Sequence, residues 1–403
     1  MESFNSLVKI IREIGTRRIT GNRRLYQSST NLIPYDSLRF IPDRNSVKTL
    51  SISNIKSSRI PEDVRTCKNL ETLELVNTRI RTLNRLKRLA RLSNIYVLNN
   101  KPSRRLRVGK SESVKSLVIR GNNPELIPST FRRLKNLERL DLAATDLKVF
   151  PIGIATNKKL KELLLSNTFI TLKNDRIEFL PTIEKLELQR NRIEHLPSSI
   201  QNFPNLKRLT LSFNSISSVD SDIALLTKLE QLSFYNNKLK AMPDGIYGLS
   251  NLKEIDLYFN QIERLESQIQ KLKNLEVLYL SNNRLLSLPD NIGSLSCLKE
   301  LYLSNNRLSE LPSNLVNLRH LKVLRINSNK LIQLIRDLPK LTNLENLDIS
   351  DNQLADLPAG LSQLPYLKLL VIMNNPWDDS ALPVLTTLTT QLRNREVVVH
   401  VNE

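Results

Sequence analysis

The stretch LEVLYLSNNRL at residues 275–285 contains the pattern that decides the fold, L-x-x-L-x-L-x-x-N-x-L. The pattern recurs at a constant step of 23 residues, with asparagine or threonine at its ninth position. These ninth positions are Asn122, Thr145, Thr168, Asn191, Asn214, Asn237, Asn260, Asn283, Asn306, Asn329, Asn352 and Asn375. A fixed internal period of this length indicates a solenoid, in which each repeat is one structural unit stacked on the next.

Each repeat combines a short strand, a polar corner and a return limb. In LKELYL at residues 298–303 apolar and polar residues alternate, which predicts a strand buried on one face. The asparagine that follows can satisfy open backbone groups at the corner, and neighbouring repeats can continue the bond as a ladder. The limb LPDNIGSL at residues 288–295 spaces its apolar residues by three, so we expect a short helical or 3-10 turn with proline at its first position. Because one repeat cannot bury its own apolar face, the repeats must stack into one core.

These motifs resemble the leucine-rich repeat superfamily. The Leu-Pro-x-x-Ile/Leu limb at a 23-residue period is most similar to the intracellular class of Ras-suppressor and Scribble-type scaffolds, and many bacterial leucine-rich repeat proteins are similar. The resemblance extends from about Val47 to Asn375. It implies an α/β solenoid, or horseshoe, of about 15 repeats, with a parallel concave sheet and short helical or 3-10 convex limbs. It also implies partner binding, without naming the partner.

The pattern divides the chain into three parts. Residues 1–46 are predicted to form an N-terminal cap with a basic helix, residues 47–375 the solenoid and residues 376–403 a C-terminal cap. In that last part we expect a helix at Ala381–Leu392 and a strand at Val397–Val401. The basic, amphipathic segment Met1–Thr20 suits either a helix over the open end of the first repeat or a mitochondrial-type presequence.

Cysteine usage and hydropathy bear on the compartment. The two cysteines, Cys67 and Cys297, lie too many repeats apart to meet, and the cysteine-clustered caps of secreted family members are missing. The sequence has no run of 18 or more apolar residues, so a transmembrane segment is not expected. We therefore predict a reduced, cytoplasmic compartment, with a mitochondrial location as the alternative if the N-terminal segment is a presequence.

The positive charge is concentrated in the first third of the chain. Of the net +20, residues 1–135 carry 29 Lys/Arg and 10 Asp/Glu, whereas residues 136–403 carry 31 and 30. The predicted anionic-partner patch consists of Arg79, Arg85, Arg88, Lys101, Arg104, Arg105, Arg107 and Lys110. A 22-residue step in this region is expected to align Arg85 with Arg107 on neighbouring limbs. Such columns favour an acidic protein, nucleic acid or anionic membrane as partner, and a solvated basic face is the alternative.

The outward face of the strands is the second candidate surface. Its midline column contains two tyrosines, and further aromatics follow just beyond neighbouring strands, so six of the 20 aromatics converge there among charged residues. The predicted partner-binding residues are Tyr235, Tyr258, Tyr279, Tyr302, Phe213, Phe259, Arg208, Lys253, Asp256 and Arg325. Exposed aromatics ringed by charge are typical of a protein-binding hot spot. Alternatively, Tyr279 and Tyr302 stack and stabilise the sheet, while Phe213 and Phe259 cover the edge of the core.

No residues assemble into a catalytic or metal site. The three histidines, His195, His320 and His400, fall at non-equivalent positions without metal-ligand spacing. The sequence also has no glycine-rich phosphate loop and no nucleophile elbow. We predict a non-catalytic protein–protein interaction scaffold without cofactor or small-molecule substrate, whose protein ligand docks on the concave face. The alternative is an electrostatic adaptor that holds an anionic partner on the basic N-terminal third.

Overall fold

The computed structural model describes residues 32–84, 86–99, 106–121, 131–173 and 176–401. Within these ranges the main element is one parallel sheet of 17 strands. In chain order they are β1 Ile33–Pro34, β2 Thr49–Ser53, β3 Thr72–Val76, β4 Asn94–Leu98, β5 Ser116–Arg120, β6 Arg139–Asp141, β7 Glu162–Leu164, β8 Lys185–Glu187, β9 Arg208–Thr210, β10 Gln231–Ser233, β11 Glu254–Asp256, β12 Val277–Tyr279, β13 Glu300–Tyr302, β14 Val323–Arg325, β15 Asn346–Asp348, β16 Leu369–Val371 and β17 Val398–His400. This confirms the predicted solenoid.

Equivalent residues of successive repeats align across the sheet. Ile255 of β11 pairs in register with Leu278 of β12, and Asp256 pairs with Tyr279. Side chains alternate along a strand, so Ile255 and Leu278 point into the core while Asp256 and Tyr279 line the outer face. We call this outer face the concave face. Fifteen of the described strands, β2 to β16, follow the repeat, as predicted, and β1 and β17 extend the sheet at its two ends.

The return limbs are mostly short 3-10 turns that bury one aliphatic side chain, for example Ile292. The limb proline precedes the turn, so its predicted place at the first position is wrong. Pro289 is extended, with ψ 148°, and its carbonyl accepts the first bond of the turn, from the backbone nitrogen of Ile292. The described turns are Tyr35–Phe40, Arg44–Ser46, Glu62–Thr66, Leu86–Arg88, Phe131–Arg133, Ile154–Thr156, Ser198–Asn202, Ser221–Leu225, Asp244–Gly248, Ser267–Lys271, Asp290–Ser294, Ser313–Asn317, Leu338–Lys340 and Leu361–Gln363.

Four further strands lie on the limbs and form two small parallel pairs. They are Thr82–Leu83 with Arg107–Val108, and His195–Leu196 with Ser218–Val219. These pairs tie neighbouring limbs together on the side opposite the main sheet.

The repeat asparagines form the predicted ladder. Asn283 Nδ2 donates to the carbonyl of Leu257 in the preceding repeat at 2.9 Å and to that of Leu280 in its own repeat at 3.0 Å. Its Oδ1 accepts from the backbone nitrogen of Ile262 at 2.9 Å. The arrangement recurs from Asn214 to Asn375. Asn122 lies outside the described residues.

The two ends of the solenoid differ in how they are closed. At the C-terminal end helix α1, Leu382–Arg393, buries Leu385, Leu388 and Leu392, and β17 pairs with β16, close to the predicted bounds. The segment Met1–Thr20 lies outside the described residues, so the three-part division of the chain stays a prediction. Cys67 is buried, Cys297 is exposed, and both are free thiols. Among the described helices there is none whose length and apolarity would suit a membrane crossing.

Candidate functional site

Four aromatic side chains form one contact cluster on the concave face, which we call the aromatic cluster: Phe213, Tyr235, Tyr258 and Phe259. The rings of Tyr235 and Tyr258 stack at 5.5 Å between centroids, with 12° between their planes. Phe213 meets Tyr235 edge-on at 5.0 Å, and Phe259 meets Tyr258 edge-on at 4.5 Å. Three of these rings are half-buried, whereas Phe259 keeps 44% of its surface exposed.

The two phenylalanines occupy a backbone position that is unusual for bulky residues. Each immediately precedes a ladder asparagine, and φ is +56° at Phe213 and +55° at Phe259. Other repeats place asparagine there, as at Asn236, Asn282 and Asn305. Asparagine tolerates the left-handed region, whereas a bulky residue there costs on the order of 1–3 kcal/mol. The chain therefore holds both phenylalanines against a local preference.

A positively charged rim continues the cluster toward the N-terminus. Arg190 takes the same left-handed position one repeat before Phe213, with φ +56°, and its guanidinium lies 4.5 Å from the Phe213 ring centroid. In the next row the Arg192 guanidinium lies 4.4 Å from the centroid of Phe169. Both are cation–π distances. The sequence prediction missed Phe169 and Arg192, although each directly follows a ladder residue, and that shared position was a usable signal.

Asp256 lies beneath the cluster in a chain of hydrogen bonds. Its Oδ2 accepts from Ser233 Oγ at 2.9 Å, its Oδ1 accepts from the backbone nitrogen of Tyr258 at 3.1 Å, and Ser233 Oγ in turn lies 2.8 Å from Ser212 Oγ. Burial raises the pKa of the Asp256 carboxyl to about 6. Burial likewise raises the pKa of the Tyr235 and Tyr258 hydroxyls, which therefore remain protonated donors at neutral pH.

Tyr279 and Tyr302 form a separate pair. Their rings stack at 4.7 Å with 16° between planes, the Tyr302 hydroxyl donates to Glu300 Oε2 at 2.6 Å, and the Arg325 guanidinium lies 5.9 Å from the Tyr302 centroid. Burial raises the pKa of both hydroxyls. Cross-strand stacking of this kind is the geometry expected of a sheet-stabilising pair.

Two predicted residues lie at the other edge of the sheet, where the strands begin. Lys253 Nζ pairs with Glu230 Oε2 at 3.0 Å, and together with Arg208 it lines a shallow depression of about 510 Å³. The structure therefore separates Lys253 and Arg208 from the aromatic cluster. They were grouped with it because the sequence does not show that one strand carries its flanking residues to opposite edges.

The structure describes half of the predicted anionic-partner patch. Arg79, Arg88, Arg107 and Lys110 are exposed. Arg85, Lys101, Arg104 and Arg105 lie outside the described residues. Arg107 pairs in register with Thr82, a step of 25 residues, so the 22-residue alignment expected for this limb is wrong. The cause is that Arg107 lies 13 residues beyond the start of β4, whereas Thr82 lies ten beyond the start of β3.

One Ser-His-Asp grouping lies on the convex limbs. His195 Nδ1 is 2.8 Å from Ser218 Oγ, and His195 Nε2 is 3.3 Å from Asp220 Oδ1. Asp220 Oδ2 also accepts from the backbone nitrogen of Ser198 at 2.7 Å. These side chains lie on an exposed surface, so the grouping fits a tie between two limbs better than a catalytic centre. Across the described residues no group of three or more potential metal ligands occurs.

Comparisons with known proteins agree with this architecture. A leucine-rich repeat region model matches residues 265–401, and a leucine rich repeat model matches residues 181–239, 204–262 and 227–285. Together the two models cover residues 181–401, more than half of the chain. No curated protein matches the chain.

Several solved structures are similar to this one. A leucine-rich repeat protein of Leptospira interrogans is 24% identical, with a TM-score of 0.67, over 91% of this chain and 99% of the other. An internalin of Listeria monocytogenes is 22% identical, with a TM-score of 0.55, over 89% and 88%. The ectodomain of an Arabidopsis thaliana membrane receptor kinase, in complex with CASPARIAN STRIP INTEGRITY FACTOR 2, is 25% identical, with a TM-score of 0.51, over 81% and 44%.

The repeat, the ladder and these matches define a solenoid with an outward-facing sheet. The chain belongs to the leucine-rich repeat superfamily. This fold commonly serves as a protein–protein interaction scaffold, and the family is generally non-catalytic.

Proposed function

We propose that the chain is a protein-binding scaffold whose partner docks on the aromatic cluster of the concave face. The observation that carries the proposal is the pair of phenylalanines at left-handed backbone positions. Phe259 supports it most directly, because its ring combines a positive φ with 44% exposure. Burial in the core does not compensate for such strain, whereas contact with a partner would.

The neighbouring repeats provide the reference for this argument. Asn282 and Asn305 occupy the equivalent position in the next two repeats, with φ +56° at both. A sequence under folding constraints alone would be expected to use asparagine or glycine throughout this column. Departures limited to a few adjacent repeats support a role in recognition.

The composition of the site indicates what the partner offers. Stacked aromatic rings with one exposed phenylalanine suit an apolar anchor, and the guanidinium of Arg190 beside Phe213 suits a carboxylate or carbonyl at the rim. The Arabidopsis receptor ectodomain, in complex with its factor, is a leucine-rich repeat chain that holds such a partner. We expect the partner of this chain to be a protein with an apolar surface element.

The test replaces both phenylalanines by the residue that neighbouring repeats carry. For Phe213→Asn/Phe259→Asn we expect partner capture from a lysate of the source organism at physiological salt to fall at least tenfold. The free energy of unfolding should change by less than about 1 kcal/mol, because relief of backbone strain offsets the lost ring contacts. Phe179→Asn is the matched control, since Phe179 is 61% exposed on a return limb and should bind as the wild type does.

Two results would count against this assignment. Equal capture by the double variant and the wild type would remove the aromatic cluster as the docking site. A loss of several kcal/mol of stability in the double variant would show that the rings serve the fold, as expected for aromatics that cover a core edge.

The electrostatic adaptor is the second proposal, and the exposed Arg79, Arg88, Arg107 and Lys110 support it. Binding through this patch should weaken steeply as salt rises from low to physiological concentration, whereas an aromatic interface should respond little. Capture at the two salt concentrations therefore separates the two proposals.

We also propose a cytoplasmic, non-catalytic role. The two free cysteines are consistent with a reducing compartment. Fractionation of the source cells tests this, and recovery in mitochondria would instead favour the presequence interpretation of Met1–Thr20.

A further inference from the structure

A second, lysine-lined depression lies where the strands begin, at the edge opposite the aromatic cluster. It has a volume of about 560 Å³ and spans the repeats of β7 to β10. Five lysines and an asparagine from four successive repeats line it, and we call it the lysine depression: Lys158, Lys159, Lys161, Lys207, Lys228 and Asn205. Two carboxylates, Glu138 and Glu184, lie at the same depression.

The lysines outnumber their acidic partners here, in contrast to the rest of this edge. Elsewhere lysine and glutamate pair one to one across repeats, as in Lys299 with Glu276 at 2.7 Å. In the depression Glu184 is shared by Lys207 at 2.9 Å and Lys161 at 3.6 Å. Within the described chain Lys158 and Lys159 have no acidic partner. The depression therefore carries uncompensated positive charge in a part of the chain that is otherwise balanced.

The same repeats also break a second asparagine ladder. At this edge asparagine side chains donate to the carbonyl 24 residues earlier, as Asn136 does to Glu112 at 2.6 Å and Asn251 to Thr227 at 2.7 Å. Lys159, Thr182 and Lys228 replace asparagine at the equivalent positions. Lys228 Nζ instead donates to Asn205 Oδ1 at 2.6 Å. The chain gives up regular ladder bonds at the repeats where the lysines gather.

We propose that the lysine depression binds an acidic peptide segment in extended conformation. Ammonium groups spread over four repeats span about 15 Å at the usual strand spacing, which matches about five extended residues. Carbonyls that lack their asparagine donor accept hydrogen bonds from peptide N–H groups, and the ammonium groups pair with glutamate or aspartate side chains. A compact phosphate offers no N–H donors and would contact fewer of the lysines.

The test measures the affinity of a fluorescein-labelled octaglutamate peptide for the full chain by fluorescence anisotropy at low salt. The variant Lys158→Ser/Lys159→Asn/Lys228→Asn introduces residues that other repeats carry at these positions. We expect its dissociation constant to rise about tenfold, since three exposed ion pairs are removed. Its melting temperature should equal or exceed that of the wild type, because Asn can rejoin the ladder.

The matched control, Arg79→Ser/Arg88→Ser/Lys110→Ser, removes the same charge from the basic N-terminal third. We expect its dissociation constant to change less than twofold. Equal weakening in both variants would show attraction to net charge and overturn the proposal, as would unchanged affinity in the first variant. The single reversal Lys159→Glu, at an exposed position, repeats the test with minimal risk to folding.

A second probe fixes the class of ligand. An octathymidylate of similar charge should bind more weakly than octaglutamate and should be less affected by the lysine substitutions. Tighter binding of the oligonucleotide, lost in the same variant, would assign the depression to nucleic acid and reject the acidic peptide.

Discussion

The repeats of β12 to β15 and those of β7 to β11 share one backbone but differ in how strictly they follow the repeat. In the first region Asn282 and Asn305 occupy the left-handed position, and Lys299 is paired with Glu276. In the second region Phe213 and Phe259 occupy the left-handed position, and Lys159 and Lys228 interrupt the edge ladder. The first region shows what folding alone requires, so the second shows what was added to it.

The additions lie at both ends of the same strands. The aromatic cluster follows the strands and the lysine depression precedes them, so the two sites flank one stretch of sheet. About six residues separate Lys207 from Phe213, roughly 20 Å of extended chain. One partner could reach both, and the two sets of repeat-restoring substitutions separate their contributions.

The largest expected effect tests whether the ladder is the main constraint on the regular repeats. Asn283→Ala removes two donors and one acceptor from buried backbone groups, so we expect it to lower the free energy of unfolding by about 3–5 kcal/mol. Thr145→Ala removes one hydroxyl bond, to the carbonyl of Leu142, and should lower it by about 1 kcal/mol. Denaturant unfolding of both variants checks the comparison, and equal losses would contradict it.

An intermediate effect concerns the carboxyl beneath the aromatic cluster. Burial raises the pKa of Asp256 to about 6, above its unfolded value of about 3.9, so ionisation destabilises the folded state as pH rises from about 4 to 6. Asp256→Asn should therefore match the wild type near pH 4 and exceed it by about 2 kcal/mol at pH 7.5.

Urea midpoints measured across this pH range give the stability difference directly. Asp356→Asn, an exposed replacement, corrects for the loss of one negative charge. A difference between Asp256→Asn and the wild type that does not grow with pH would show that Asp256 is not the responsible group.

The smallest effect separates the tyrosine pair from the aromatic cluster. Tyr302→Phe keeps the stack on Tyr279 and removes the bond to Glu300, so the free energy of unfolding should fall by about 1 kcal/mol. Partner capture should stay at the wild-type level if the pair serves the sheet. A tenfold loss of capture would extend the docking site to β13.

The sequence predicted the fold because the repeat period is a property of single positions. A 23-residue step places Asn283 above Asn260 whatever the rest of the chain does, and Ile255 must face the core once the alternation is read. Grouping of side chains was harder to predict. Lys253 lies five residues before Tyr258 and faces the same way, yet it pairs with Glu230 at the far edge of the strand.

The missing information was the backbone conformation after each strand. The left-handed turn at Phe213 and Phe259 decides where their rings point, and the sequence shows it only through the asparagines of neighbouring repeats. The step at Arg107 was mispredicted for a related reason, because the strands and the limbs follow different registers in that repeat.

The ladder also has a consequence for how the molecule opens. Each asparagine from Asn214 onward connects its own repeat to the one before, as Asn214 does to Leu188. Within the described residues Thr145 bonds only to the carbonyl of Leu142 in its own repeat. A one-dimensional stack opens at its weakest neighbour contact, so amide hydrogen exchange should show a slow block from about β8 onward and faster exchange around β6. A partner held by the aromatic cluster would rest on the block that opens last.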